Sequence, residues 1–246
     1  MNALKIALQF LTRLPVSNTD YNDADVKASI YWYGVVGLII GAILMLASGL
    51  LYQLAANLDA LIVAALLLCL WVVLTGGLHL DGLADSADAW LGGNDKERTL
   101  AIMKDPRCGP AGVTSIVLVM LVKLACLNVL VLQSAFFLLL APALSRCTIP
   151  LLFLITPYVR EHGLAAPFKD GLSQQSACLQ AALMALLCFT ILGTSGVMVV
   201  LMVTGTFFWL RHLMLKRLAG TTGDTAGASI EILEATVLLG IALTLT

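Results

Sequence analysis

The chain has 246 residues, 60% of them hydrophobic and only 12% charged, with a formal net charge of −1. Soluble domains carry about 25% charged and about 45–50% apolar residues, so this composition excludes an ordinary water-soluble globule and predicts a membrane protein. The near-neutral balance also excludes a generally basic nucleic-acid binder, and no nucleic-acid partner is expected.

In chain order, residues 2–15 hold only a short apolar run, with no small-residue cleavage site before Arg13-Leu14-Pro15. Too short to cross a bilayer, the run predicts a retained helix lying at the interface. Crossing the ~30 Å hydrocarbon core takes about 20 mostly apolar residues. Seven segments qualify: about 32–55, 60–80, 111–132, 135–156, 177–194, 196–214 and 226–245. The second and seventh run into carboxylates at one end. The fifth and sixth are joined by Gly193-Thr194-Ser195-Gly196, which predicts a tight hairpin. The expected fold is all-α: a polytopic bundle of about seven transmembrane helices plus the short interfacial helix, with residues 1–246 forming one integral membrane domain.

Basic residues set the orientation. Lys5, Arg13 and Lys27 precede the first span; Lys96, Arg98, Lys104 and Arg107 follow the second. Arg160 and Lys169 follow the fourth, and Arg211, Lys216 and Arg217 flank the sixth-to-seventh connection. The other three connections hold none, and apart from Arg211 near the end of the sixth span only Lys123 and Arg146 lie inside spans. With seven spans every basic connection falls on the side of the N-terminus. That side is expected to be cytoplasmic, with the C-terminus outside. Nearly all the acids fall there too, Asp59 being the exception, so that face reads as a polar working surface. Six cysteines (Cys69, Cys108, Cys126, Cys147, Cys178, Cys188) show no CxxC or Cys/His spacing, and predict neither disulfides nor zinc.

The densest polar signal is Gly76-Gly77-Leu78-His79-Leu80-Asp81-Gly82-Leu83-Ala84-Asp85-Ser86-Ala87-Asp88. Asp81, Asp85 and Asp88 are spaced i, i+4, i+7, one face of a helix. Like charges about 4 Å apart repel by about 4 kcal/mol at an effective dielectric near 20, so the trio calls for a cation. Oxygen-only ligands favour a hard one, Mg2+ first, with Mn2+ or Ca2+ as alternatives. The plain alternative is a solvated helix end, which the flanking Gly, Leu and Ala disfavour.

In a second cluster, Gly220 to Glu231, Asp224 and Glu231 are again i, i+7, with Ala228 between them. Glu231 lies inside an apolar span. It is either a functional group or a buried partner of Lys123 or Arg146. Glu234 lies off that face and ranks lower. The third cluster runs from Lys104 through Asp105 and Arg107 to Gly112 and feeds the third span. Its helix-start amides, with Lys104 and Arg107, would suit phosphate, though topology alone also accounts for a basic loop. Arg146 and Arg160 are further anion clamps, Arg146 with the alternative of pairing Glu231. His79 serves either as a hydrogen-bonding cap or in catalysis. His162 and His212 read as ordinary loop and helix-end residues.

Two acidic clusters, several Arg and Lys residues and no nucleophilic Ser or Cys motif point to phosphate chemistry, with metal ions neutralising a diphosphate. There is no Walker loop, so a nucleotide here reads as a donor's leaving half.

Three stretches carry a resemblance: Gly77-x-His79-Leu80-Asp81-Gly82-Leu83-Ala84-Asp85-x-x-Asp88, Met103-Lys104-Asp105-x-Arg107-x-Gly109-x-x-Gly112, and Thr222-Gly223-Asp224-Thr225-x-Gly227-Ala228-x-x-Glu231. With Phe10-x-Thr12-Arg13-x-Pro15, Ser145-Arg146 and Arg160-x-x-Gly163-Leu164, the chain resembles the cobalamin synthase family along essentially its whole length. Cys108 and Pro110 depart from that family's usual residues. The resemblance implies a Mg2+-dependent transfer joining adenosylcobinamide-GDP to α-ribazole or its 5′-phosphate, with release of GMP, in a bacterial or archaeal cytoplasmic (inner) membrane. It implies Asp81, Asp85 and Asp88 as metal ligands, with Asp105, Asp224 and Glu231 as further ligands or the base. Arg13, Lys104, Arg107, Arg146 and Arg160 become phosphate contacts, with His79 beside the substrate. A homo-oligomer, or association with other cobalamin-pathway enzymes, stays open.

Two rivals remain. A CDP-alcohol phosphotransferase shares the aspartate-rich style but not the order DxxDGxxAR…GxxxDxxxD. A carboxylate-based ion transporter would hold its acids near mid-bilayer, open to both faces, whereas here they gather at one edge, Glu231 excepted.

Overall fold

The computed structural model describes residues 2–17, 21–160, 166–168 and 171–245. His162, Gly163, Leu164 and Lys169 lie outside the described residues. The described chain is helical apart from its connections. Helix α1 (Asn2–Leu11) is amphipathic and buries Ala3, Ile6, Ala7 and Leu11. Helix α2 (Asp23–Ser29), capped by Asn22, continues through a 3-10 turn (Ile30–Trp32) into α3 (Tyr33–Leu54).

Helix α4 (Ala60–Thr75) starts at Asp59, whose carboxylate accepts a hydrogen bond from the Leu61 N–H at 2.8 Å. The expected span over 60–80 is corrected here. The helix stops at Thr75, because Gly76 and Gly77 both take left-handed φ values, 65° and 71°. Glycine alone adopts these without a Cβ penalty. The chain then turns by 89° into α5 (Leu78–Gly92), which carries the aspartate row across the bundle instead of along it.

Then come α6 (Lys96–Ile102), α7 (Pro110–Gln133), a 3-10 turn (Ala135–Leu139) and α8 (Leu140–Ile155). Another 3-10 turn (Ala166–Phe168) precedes α9 (Gln174–Leu192). Gly193 and Thr194 alone separate α9 from α10 (Ser195–Leu218), as the hairpin expectation required. Helix α11 (Gly223–Leu245) begins earlier than the apolar pattern suggests. Thr222 and Thr225 cap one another reciprocally there, Thr225 N–H to Thr222 Oγ1 at 3.2 Å and Thr222 N–H to Thr225 Oγ1 at 2.9 Å.

Among the described residues six helices are long and apolar enough to span a membrane, or seven if the bent α4–α5 pair counts as one. The chain is thus an all-α polytopic membrane bundle. Helices α8 and α11 form its centre: 78% and 61% of their apolar windows are enclosed, against 22–39% for the other four. Leu, Val and Phe side chains on α7, α9 and α10 are exposed on the outside of the bundle, as suits helices bordered by lipid. Gly37 and Gly41 of α3 lie directly against the backbone around Pro142 and Leu139, a small-xxx-small contact that lets α3 approach α8 closely.

Candidate functional site

The site forms where α5 crosses α11. A Cβ placed on Gly82 would lie 2.7 Å from the Asp224 carbonyl oxygen and 3.1 Å from its Cα, so only glycine permits this approach. Gly227 faces the His79 backbone from the other helix. Asp81 and Asp224, far apart in the chain, thereby border one cavity of about 270 Å³. A second tie fixes the third wall. Tyr158 and Thr221 form a parallel bridge, with Thr221 N–H donating to the Pro157 carbonyl (2.8 Å) and Val159 N–H to that of Thr221 (3.0 Å). This pairing delivers Arg160, whose guanidinium meets the Asp224 carboxylate at 2.5 Å.

Asp81 is exposed at the cavity, and Asp85 is one turn further along α5. Partial burial, with the charges of Asp81, Asp224 and Asp88 adding to it and Arg160 opposing, pushes the Asp85 carboxyl up to about 6. A carboxylate crowded by carboxylates is a donor set short of positive charge. Among the described residues, no three acidic, histidine or cysteine side chains are already drawn together as a metal cage. The all-oxygen character and the excess negative charge fit a hard divalent cation held by Asp81, Asp85 and Asp224.

Other expected site residues fall elsewhere. Asp88 shares the helix face but turns to α7: its carboxylate accepts from Gly109 N–H at 2.6 Å and Gly112 N–H at 2.9 Å. The helix-start amides assigned to phosphate are therefore already taken by Asp88. Pro110 opens that helix, where a missing N–H costs nothing. Asp105 grips Arg107 through Nε (2.9 Å) and Nη2 (2.6 Å) on an exposed loop, which holds the Asp105 carboxyl down to about 2. Neither residue lines the cavity, nor does exposed Lys104. The Arg13 side chain lies over Gly76 at the α4–α5 bend, and the Arg13 backbone N–H donates to the Leu74 carbonyl at 2.7 Å.

Glu231 and Arg146 stand apart from this cavity. Both are buried away from the cavity lining. Lys123 Nζ sits 2.5 Å from Glu231 and 2.5 Å from Glu234, and Arg146 meets Glu234 at 2.5 Å. The alternative of a buried ion pair holds for Glu231. Arg146 pairs with Glu234, the acid ranked lower. His79 is buried and lines the cavity, and neither ring nitrogen has a hydrogen-bond partner among the described residues. Sequence reasoning missed the aromatic wall: Phe10, Tyr33, Phe153, Tyr158 and Phe168. Phe10 had stood only in the Phe10-x-Thr12-Arg13-x-Pro15 stretch, with no aromatic wall read from it, and the other four carried no motif.

The sequence profile of the family described as cobalamin-5-phosphate synthase matches residues 3–242. The chain is 50% identical over 241 residues to an adenosylcobinamide-GDP ribazoletransferase of Pseudomonas fluorescens strain Pf-5, covering 97% of this chain and 98% of that protein. It is 52% identical to the enzyme of that name from Pseudomonas putida strain W619 and 51% to that from Pseudomonas entomophila strain L48, each covering 97% of both chains. No solved structure matches it. A profile match over nearly every residue, with relatives at half identity end to end, makes this chain a member of the cobalamin-5-phosphate synthase family.

Proposed function

We propose that this protein is an adenosylcobinamide-GDP ribazoletransferase, joining α-ribazole or its 5′-phosphate to adenosylcobinamide-GDP with release of GMP. The observation that carries the reading is the convergence of Asp81 from α5 with Asp224 and Arg160 at one cavity, in a chain whose near relatives bear that name. The family description favours the 5′-phosphate acceptor. The acceptor oxygen attacks the phosphorus attached to the cobinamide, and the bond from that phosphorus to the oxygen of GMP breaks.

Asp81, Asp85 and Asp224 would hold Mg2+, which when bound supplies charge neutralisation for the diphosphate and its leaving phosphate. The remaining work belongs to the chain. Arg160 balances Asp224 and presents its other guanidinium N–H groups to phosphate oxygens. His79 offers an unpartnered ring nitrogen to the bound substrate. A carboxylate of the group that is free of the ion accepts the proton of an attacking hydroxyl. Much of the rate enhancement would come from positioning. Transport is not favoured, since the intramembrane acids Glu231 and Glu234 are both ion-paired.

The basic connections support a site on the cytoplasmic side of an inner membrane. Purified protein given adenosylcobinamide-GDP and α-ribazole 5′-phosphate should release GMP with Mg2+ and stop with EDTA. Absence of GMP under both conditions defeats the proposal. Turnover unaffected by EDTA removes the metal from it.

A further inference from the structure

The cavity beside Asp81 has a wall that phosphate chemistry does not require. Five rings from four separate parts of the chain form one continuous arc. Phe10 of α1 stacks on Tyr33 of α3 (centroids 6.1 Å apart, 22° between planes), and Tyr33 meets the edge of Phe168 at 6.2 Å and 84°. Phe168 lies 5.8 Å from Phe153 of α8, which lies 6.0 Å from Tyr158. Two residues beyond Tyr158 is Arg160, the guanidinium that faces Asp224. The arc therefore ends at the charged groups.

We propose that this arc is the seat of the acceptor's aromatic base, with the ribose and its free hydroxyl reaching toward Arg160, Asp224 and Asp81. The inference rests on the ribazole-transfer reading and adds which half of which substrate the cavity selects. Three features favour the occupant. A cavity of about 270 Å³ lies near the lower end of small-molecule sites, about 300–1,000 Å³. It has room for a nucleoside and none for a corrin macrocycle. Guanine, the other flat ring in the reaction, presents amide and amine edges that need polar partners when buried. The ring arc supplies none beyond two phenol hydroxyls. A bicyclic base whose only polar ring atoms are the benzimidazole nitrogens suits it, stacking on and edging against aromatic faces. A fatty acyl chain would not need the charged end.

Equilibrium dialysis of the full-length protein in detergent, with α-ribazole, tests this without requiring turnover. Wild type should bind α-ribazole, and ribose 5-phosphate should compete poorly. Phe153→Leu and Phe10→Leu keep apolar bulk but remove a ring, and should weaken α-ribazole binding about tenfold. Phe153→Tyr should retain most of it. In turnover, KM for α-ribazole should rise in the leucine variants while KM for adenosylcobinamide-GDP holds within about twofold. A rise confined to the donor's KM would reassign the arc to guanine and overturn the inference. So would α-ribazole binding that ignores both substitutions, or no binding by wild type. If α-ribazole binds in this pattern but no GMP is ever released, the base pocket stands and the transfer reading falls.

Discussion

Asp88 and Gly112, 24 residues apart, are joined by a 2.9 Å hydrogen bond from the glycine N–H to the carboxylate. The other oxygen accepts the Gly109 N–H. An acid spaced like a metal ligand is thus the cap of a neighbouring transmembrane helix, where it meets both free donors and the positive end of the helix dipole.

Asp88→Ala should lower stability by about 1–3 kcal/mol, since it strands charge-assisted donors at a helix start. Gly112→Ala should do similar damage from the other side, because its Cβ would fall 2.5 Å from the Asp88 carboxylate. The two losses should be clearly less than additive in the double variant. Thermal unfolding in detergent measures this. Full additivity would separate the residues, and Asp88→Ala with unchanged stability but lost Mg2+ binding would return Asp88 to the metal.

Asp85 should act against stability until a cation arrives. Its carboxyl is raised to about 6, so the folded state holds that proton more tightly than the unfolded chain. The associated stability is present below the ordinary carboxylate range and is lost as pH rises through about 6. Asp85→Asn should therefore melt higher than wild type at pH 8 in EDTA. With much of Asp85 facing solvent, the screened effect is about 1 kcal/mol, or roughly 2–4 °C. The difference should vanish near pH 4. Added Mg2+ should reverse the order at pH 8 by stabilising wild type alone, and the variant should have lost GMP release. A variant that gains from Mg2+ as much as wild type would exclude Asp85 from the ion.

Lys123 sits between Glu231 and Glu234, and Arg146 completes the group with Glu234. Two cations and two anions balance inside the membrane, where an unmatched charge is expensive. Lys123→Met should cost about 3–5 kcal/mol, as expected when one partner of a buried pair is removed. Lys123→Met with Glu231→Gln removes one charge of each sign and should recover much of the loss. Monodisperse yield and melting temperature report both. A double variant as damaged as the single would mean that geometry, not charge balance, holds the group.

Helix α4 has 16 residues, about 24 Å at 1.5 Å per residue, against a core of ~30 Å. If it crosses by local thinning of the bilayer, seven crossings put the two termini on opposite sides. A reporter fused after the last residue should then read external, and one on the N-terminus cytoplasmic. Matching readouts at both ends would reduce the count to six.

Much of this architecture was legible as apolar runs punctuated by Gly, Pro and charge, because lipid forces backbone satisfaction within each helix. Tertiary partners were not. The i, i+4, i+7 row correctly put Asp81, Asp85 and Asp88 on one face, but not that the Gly76–Gly77 bend would aim Asp88 at α7. Glu231 looked functional because isolated acids in spans usually are. Pairing with Lys123 was the alternative, and packing decides for it while adding Glu234 to the group. The aromatic arc had no shared sequence signature, since its rings come from α1, α3, the end of α8 with the residues just after it, and the 3-10 turn at Phe168.

The contact on which the site depends most is Gly82 against the Asp224 backbone. In Gly82→Ala the new methyl would face a carbonyl oxygen at 2.7 Å and a Cα at 3.1 Å. Both belong to backbone and cannot swing aside, so α5 and α11 must separate. Moving a reacting arrangement by about 1 Å can cost on the order of 10²-fold in rate, and kcat/KM should fall by that order while the protein still purifies as a folded bundle. Gly227→Ala is the matched comparison. Its nearest neighbour outside its own helix is the His79 Cα at 3.4 Å, ordinary contact, so the same added methyl on the same helix pair should cost far less. Equal losses in the two variants would trace the effect to helix chemistry in general, and full activity in Gly82→Ala would show that Asp81 and Asp224 need not be held this close.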